Sequence, residues 1–277
     1  MANAPTKPTT TAKTESSSKS SIFASLTIPI CLVVATLIFI FILGDESHFK
    51  GGDVENGEPI DIFGTVFHGG YLVPLGMSYI LMVIVFSIER FIVIGKATGT
   101  SNVDAFVRKV QGFLNAGNID AASSECDKQK GSVANVIKSG LKKYREMEQD
   151  ASLDVDQKTL AIQKDIEEAT ALEMPMLEQN LTIIATLVSI GTLTGLLGTV
   201  IGMIKAFAEL SQSGNNTSKL SQAISEALVN TAMGITTSTI SIVMYNLFTS
   251  KIDSLTYAID ETGFSIVQTF AASHKNK

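Results

Sequence analysis

The sequence predicts an all-α, multi-pass membrane protein with four transmembrane helices, and three observations support this prediction. Of the 277 residues, 45% are hydrophobic and only 17% are charged, which is unusual for a water-soluble domain. Four stretches lack Asp, Glu, Lys, Arg and His and are long enough to cross a bilayer: residues 22–44, 71–88, 181–204 and 227–250. Between the second and third stretches, charged residues alternate with apolar residues at helical spacing, so we expect long helices that extend into the cytoplasm.

The N-terminal segment, residues 1–21, is rich in Ser, Thr and Lys and is predicted to be a disordered cytoplasmic tail. The apolar run at 22–44 could be a cleavable signal peptide. We favour a membrane anchor, because the run is longer than a typical signal core and no A-x-A site precedes Asp45. Three lysines precede this run and one follows it, so the positive-inside rule places the N-terminus in the cytoplasm.

Residues 45–70 carry six acidic residues and one lysine, and we predict that they form a periplasmic loop. The second transmembrane helix, residues 71–94, then returns to the cytoplasm. Arg90 and Lys96 at its end are expected to extend to cytoplasmic headgroups.

The cytoplasmic helical domain is predicted at residues 95–180, which contain eleven basic and fourteen acidic residues. Apolar residues recur there at steps of three and four, as in amphipathic helices; they are Phe106, Val110, Phe113 and Leu114, and later Ile162, Ile166, Ala169 and Leu172. From residue 156 the segment lacks glycine and leads into the third transmembrane helix, residues 181–204. We therefore expect one long helix, bent near Pro175.

The remaining elements follow from alternating topology. Residues 205–221 are predicted to be a short periplasmic loop, residues 222–250 the fourth transmembrane helix, and residues 251–277 a partly helical cytoplasmic tail. Both termini are therefore predicted to be cytoplasmic.

Glycines and polar side chains follow definite faces of the last two membrane helices. Four glycines fall within a narrow arc of the third helix, which predicts close approach of another helix; they are Gly191, Gly195, Gly198 and Gly202. A hydroxyl stripe lies beside them and includes Ser189, Thr192 and Thr199. The fourth helix has one polar face that contains Glu226, Asn230, Thr231, Gly234, Thr237 and Ser238.

These polar groups admit two interpretations. Each hydroxyl can simply bond the carbonyl four residues earlier or bridge two helices. Two neighbouring polar stripes on consecutive membrane helices instead favour a hydrated or partner-filled lumen, because lipid-facing positions need no polar groups. Apart from Glu226, near the outer end of the fourth span, no acid, base or histidine lies within the four uncharged stretches, so another chain would have to supply the carboxylate of a proton relay. Glu226 itself lies either at the interface or at the entrance of the lumen.

Several classes of function are disfavoured. Cys31 lies in an apolar run and Cys126 in a charged segment, so a disulfide scaffold is not expected. The sequence contains no motif for a metal, a cofactor, a catalytic nucleophile or a dinucleotide, so we predict neither an enzyme nor a cofactor. A net charge of −6 without a basic patch disfavours a nucleic-acid partner.

Two motifs resemble the MotA/TolQ/ExbB proton channel family, most closely its ExbB/TolQ branch. GLLGTVIGMIKAF at residues 195–207 resembles the signature GLxGTVxGxxxAF, and ISEALVNTAMGI at residues 224–235 resembles the EALxxTAxG segment that precedes a YN pair. GGYLVPL and IER within residues 69–90 are similar to the preceding helix of the family. The resemblance covers about residues 65–260 and leaves the first 64 residues uncovered.

The resemblance implies a pentameric ring in the inner membrane that encloses an ExbD-like partner. That partner would carry a proton-binding Asp on a single transmembrane helix, and the motor would energise a TonB-like protein. The two functional positions of the family's last helix fall on Thr231 and Glu226. The family's other pore threonine falls on Ile190 and its proline on Thr192, so either Thr192 or Ser189 takes the lining role or the proton route differs locally.

The resemblance leaves alternatives open. The extra N-terminal span departs from the simplest ExbB proteins, which have three spans. A TolQ-like or MotA-like or gliding stator subunit would be a different output of the same motor. A passive membrane scaffold would use the glycines and hydroxyls for packing alone.

Overall fold

The computed structural model describes residues 14–54, 57–213 and 217–274, and most of them are helical. Their α-helices are α1 (Thr14–Ile38), α2 (Ile62–Phe67), α3 (Val73–Thr98), α4 (Val103–Asn115), α5 (Ile119–Gln129), α6 (Gly131–Gln149), α7 (Val155–Glu178), α8 (Leu181–Ser213) and α9 (Thr217–His274). Within these described parts of the chain, the β structure is limited to one isolated bridge between Phe49 and Pro59. The all-α prediction is confirmed.

Four helical stretches of the described residues are long and apolar enough to cross a membrane. They lie at Phe23–Leu43 and within Gly70–Asn115, Val155–Ser211 and Thr217–His274. The predicted number of transmembrane helices is therefore confirmed.

Helix α1 begins at Thr14, inside the segment 1–21 that the sequence predicts to be disordered. The Ser-rich residues 14–21 therefore continue the apolar helix, because extending a helix costs much less than nucleating one. The rest of the predicted tail, residues 1–13, lies outside the described residues.

The predicted single helix through Pro175 is in fact two helices. Proline is accommodated inside α7, and the break comes later, at Gln179 and Asn180. Asn180 has a φ of 62°, in the left-handed region, which asparagine tolerates better than most residues. The expectation of one continuous helix was therefore wrong, because a residue suited to ending a helix lies just after α7.

The predicted loop at 205–221 is shorter than expected. Helix α8 continues to Ser213 and α9 begins at Thr217, so only 214–216 lie between them, and these are outside the described residues. Residues 205–213 contain no Gly or Pro, so nothing in them stops the helix. Helix α9 is also longer than predicted, since it continues to His274 through most of the expected cytoplasmic tail.

The chain divides into two compact units. The first comprises Met1–Phe86 and Ile183–Ile242, and the second comprises Ser87–Thr182 and Val243–Lys277. In the first unit, the loop after α1 is ordered around an aromatic cluster. The rings of Phe39 and Phe67 stack with centroids 4.7 Å apart, and Phe49 is buried against Phe67. Asp61 caps α2 by accepting a hydrogen bond from the Gly64 amide.

The second unit has a conventional apolar core. Side chains of α4, α6, α7 and the end of α9 are almost fully buried there, and they include Phe106, Val110, Leu114, Ile137, Leu141, Ile162, Ile259, Ile266 and Phe270. Asn102 and Asn118 cap α4 and α5, and Asp154 forms a capping box with Gln157 at the start of α7. These caps satisfy amide groups that a helix start leaves free.

The prediction that Arg90 extends to lipid headgroups is wrong. Its side chain is 1% exposed and donates to the Glu89 carboxylate. Its Nη1 also donates to the carbonyl oxygens of Met176 (3.3 Å) and Leu177 (3.1 Å), near the end of α7. The last carbonyls of a helix have no partners within it, and Arg90 supplies donors to two of them.

Candidate functional site

The candidate site is the contact between α8 and α9 in the first unit, which we call the α8–α9 seam. The helices run antiparallel, since Gly202 approaches Ala227 at one end and Gly191 approaches Thr237 further along. All four glycines of the arc, Gly191, Gly195, Gly198 and Gly202, meet α9 over about three turns. The seam therefore contains the glycine arc and part of the hydroxyl stripe that the sequence singles out.

Glycine permits very close contact along the seam. A Cβ added to Gly195 would lie 3.1 Å from the Cα of Gly234, and one added to Gly234 would lie 2.6 Å from the carbonyl oxygen of Gly191. A Cβ on Gly198 would lie 2.4 Å from that of Asn230. Side chains at these positions would push the two backbones apart, so glycine sets the distance between the helices.

A pair of hydroxyls lies at the middle of the seam. The hydroxyls of Thr199 and Thr231 are hydrogen-bonded to each other across the two helices. Each also lies 3.2 Å from the carbonyl oxygen of Gly195, which has no side chain to shield it. Both threonines are half-buried, so one side of the pair stays open in this chain.

A second hydroxyl pair lies further along the seam. Thr192 Oγ1 is 2.7 Å from Ser238 Oγ, and Ser238 donates to the carbonyl oxygen of Val188. Ser189 is exposed, whereas Thr237 is fully buried and donates to Met233 four residues earlier. The structure thus brings Thr192 and Ser238 together, and it gives the Thr237 hydroxyl the local partner expected of a packing threonine.

Asn230 is buried next to the Thr199–Thr231 pair, over Gly198 and towards the Gly202 end of the seam. Its Nδ2 donates to the carbonyl oxygens of Gly69 (2.9 Å) and Glu226 (3.0 Å). Asn230 therefore ties α9 to the turn that precedes α3.

The ionic partner of Glu226 was missed by the sequence reasoning. Lys205 Nζ lies 2.6 Å from Glu226 Oε1, and the carboxylate side chain is only 11% exposed. Lys205 falls within the predicted loop 205–221, but it lies on α8 and contacts Glu226 at the start of the fourth apolar stretch. The sequence did contain a signal for this contact: residues 205–213 lack Gly and Pro, which indicates that the helix continues past residue 204.

The seam offers hydroxyl groups that form hydrogen bonds, but it has no free acidic side chain that could hold a proton. Its hydroxyls both donate and accept, so they can solvate a proton or an ion in transit. Its one acid is already paired with a lysine. Among the described residues, no group of three or more His, Cys, Asp or Glu side chains could hold a metal ion.

Comparisons with known proteins match the part of the chain that contains the seam. The family model described as "MotA/TolQ/ExbB proton channel family" matches residues 128–261, which include the whole seam. The putative biopolymer transport protein ExbB-like 3 of Synechocystis sp. is 35% identical over 88 residues, 31% of this chain and 42% of that protein. The Tol-Pal system protein TolQ of Pseudomonas aeruginosa is 28% identical over 135 residues, 48% of this chain and 58% of that protein.

A third relative matches a shorter segment. The putative biopolymer transport protein ExbB-like 2 of Helicobacter pylori is 39% identical over 80 residues, 28% of this chain and 53% of that protein. The chain thus spans 42% to 58% of the length of these relatives. The family match begins at residue 128, so residues 65–127, which the motif resemblance had included, lie outside it.

Proposed function

We propose that the chain, whose residues 128–261 match the MotA/TolQ/ExbB proton channel family, is the channel subunit of a membrane motor driven by the proton motive force. In this proposal, an ExbD-like protein contributes a single transmembrane helix with a proton-binding Asp. The motor then energises a TonB-like protein that opens outer-membrane transporters.

The observation that carries the proposal is the Thr199–Thr231 hydroxyl pair. A bilayer-spanning helix pair gains little from polar side chains that face lipid. The pair is nevertheless half-open, and the carbonyl oxygen of Gly195 lies next to it. Such a site suits a partner carboxylate that exchanges its proton with hydroxyls and water.

The lack of a free acid in the seam supports the need for a partner. Glu226 is compensated by Lys205, and residues 181–204 and 227–250 contain no Asp, Glu, Lys, Arg or His. A proton crossing 100 mV releases about 2.3 kcal/mol, and proton relays within membranes are usually built on titratable side chains. The partner's Asp would provide this group.

We also propose a ring assembly and a set of residues that line the proton pathway. Copies of the chain, five by family resemblance, form a ring in the inner membrane with both termini in the cytoplasm. The proposed pathway is lined by Thr231, Thr199, Thr192, Ser189, Asn230, Thr237 and Ser238, with Glu226 at its entrance. Thr192 is the better substitute for the family threonine at Ile190, because it pairs with Ser238 as Thr199 pairs with Thr231.

The deciding experiment measures proton flux in liposomes that contain the chain and its ExbD-like partner. Thr231→Val should abolish flux, and energy-dependent uptake in cells, because it exchanges the hydroxyl for a methyl group of similar size. Thr231→Ser should keep both. Thr236→Val is the matched control, since Thr236 is exposed on the same helix and bonds only the Ala232 carbonyl. Normal flux in Thr231→Val would refute the pathway.

Two alternatives share part of this evidence. A TolQ-like subunit, or a MotA-like or gliding stator, would use the same seam to drive a different process. The match to TolQ supports the TolQ-like alternative. A passive scaffold would conduct no protons with any partner. Native mass spectrometry of the complex from its own membrane separates these functions, because it identifies the partner and the ratio in which it binds.

A further inference from the structure

The ion pair of Lys205 and Glu226 joins an exposed lysine, 44% accessible at its side chain, to a carboxylate that is 11% accessible. The pair joins α8 to α9 at 2.6 Å, and Glu226 is 9% exposed as a residue. A charge without a partner is costly at such a position, so each side chain restricts where the other can lie. The family motif in the sequence leaves position 205 open, so the resemblance assigns this lysine no role.

The turn before α3 fits closely around the pair. Gly70 has a φ of 78°, and a Cβ there would lie 2.5 Å from Glu226 Oε1. The Lys205 ammonium lies 5.5 Å from the centre of the Tyr71 ring, within the range of a cation–π contact. A side chain at Gly70 would displace the carboxylate from its lysine.

Asn230 binds the same turn one helical turn further along α9. Its amide donates to the Gly69 carbonyl oxygen and to that of Glu226. Three elements therefore meet at this end of the seam: α8, α9 and the turn at residues 69–72.

The hydroxyl pair lies close to this junction. Thr231 follows Glu226 by five residues, and Thr199 precedes Lys205 by six. A shift of α8 along α9 by one turn would move these atoms about 5.4 Å and break both the ion pair and the hydroxyl contact. The glycines permit close approach of α8 and α9, but glycines alone do not fix the register of one helix along the other.

We propose that Lys205 is a positioning residue: its ion pair with Glu226 fixes the register of α8 against α9 and so holds Thr199 and Thr231 in contact. The consequence for proton flux rests on the proposed function. The register itself does not, and it can be measured separately.

The test uses a chemical crosslink as the readout of register. In the full chain with Cys31→Ala and Cys126→Ala, the changes Thr199→Cys and Thr231→Cys place two thiols where the hydroxyls touch, within reach of a disulfide. We expect Lys205→Met to lower the initial crosslinking rate about tenfold, since breaking a partly buried ion pair frees the helices to slide. Lys96→Met, at an exposed lysine of α3, should leave the rate unchanged.

Restoring variants keep the proposal falsifiable if Lys205→Met assembles poorly. Lys205→Arg should restore the rate, and so should the exchange Lys205→Glu with Glu226→Lys, because both retain opposite charges across the seam. An unchanged rate in Lys205→Met, or a slow rate in both restoring variants, overturns the proposal.

The same variants separate this inference from the proposed function. Without the two engineered cysteines, Lys205→Met should reduce proton flux in liposomes and Lys205→Arg should retain it. If the unmodified complex conducts no protons while the crosslinking pattern is as expected, the proposed function fails and the positioning role of Lys205 is upheld.

Discussion

The two units of the protein pack their helices in different ways. In the first unit, Gly195 of α8 faces the Cα of Gly234, so backbone meets backbone. In the second unit, a Cβ on Gly140 of α6 would meet the side chain of Ile166, 2.6 Å away, so the glycine receives an apolar side chain. Burial from water drives the second arrangement, whereas helices in lipid associate through close packing and hydrogen bonds.

The two units also differ in the number and the exposure of their ion pairs. The second unit has many surface ion pairs, and a hydrogen bond from Lys109 holds the pKa of Glu125 below its ordinary value. The seam in the first unit has one ion pair, whose carboxylate is only 11% exposed and lies against Gly70. A single charge change should therefore have a small effect on the surface of the second unit and a large effect in the seam.

The largest expected effect comes from filling the seam. Gly195→Leu should prevent assembly, because even a Cβ would lie 3.1 to 3.3 Å from α9 backbone atoms and the rest of leucine has no space. Size-exclusion chromatography and native mass spectrometry measure the loss. Gly112→Leu in α4 is the control, since no atom lies within 4 Å of its added Cβ. A stable oligomer of Gly195→Leu would show that close backbone approach is not required.

The next largest effect concerns access to the core of the second unit. Burial, with a smaller contribution from the Asp127 charge, raises the pKa of the Cys126 thiol to about 12. In a Cys31→Ala variant at pH 8, maleimide should label Cys126 about a thousandfold more slowly in the native protein than in denaturant, because so little thiolate is present. The native rate should rise with pH. Equal rates in the two states would mean that this core admits water.

Arg90→Met should destabilise the second unit by about 3 kcal/mol, because it leaves the Glu89 carboxylate and two α7 carbonyl oxygens without their donors. Denaturant or thermal unfolding in detergent measures this change. Arg108→Met, at an exposed arginine of α4, should have almost no effect. If both variants unfolded alike, Arg90 would contribute no more than a surface charge.

The smallest effect is expected at the surface of α7. Lys164 Nζ lies 3.9 Å from Glu168, and both side chains are about 70% exposed (72% and 69%). Lys164→Met should therefore change stability by less than about 0.5 kcal/mol, in line with solvent-screened pairs. The same unfolding experiment measures it, and a loss as large as that of Arg90→Met would contradict the contrast between buried and exposed charges.

The sequence by itself determined the features that are local and periodic. Uncharged stretches of bilayer length gave the four spans, because only a helix satisfies its own backbone in lipid. The spacing of Gly191, Gly195, Gly198 and Gly202 identified one face of α8, because residues three or four apart lie on the same side of a helix. The two motifs also indicated a resemblance to the family whose model matches residues 128–261, since their characteristic residues lie within short segments.

Only the tertiary structure decided which distant groups meet. Arg90 binds carbonyl groups 86 and 87 residues away, and no helical periodicity predicts such a contact. The end of α7 at Asn180 depends on the left-handed conformation of one residue, which competes with an otherwise helical sequence. Lys205 contacts Glu226 because α8 continues past its apolar stretch and α9 packs antiparallel against α8. Such pairings depend on the register of two helices, which no single segment of the sequence specifies.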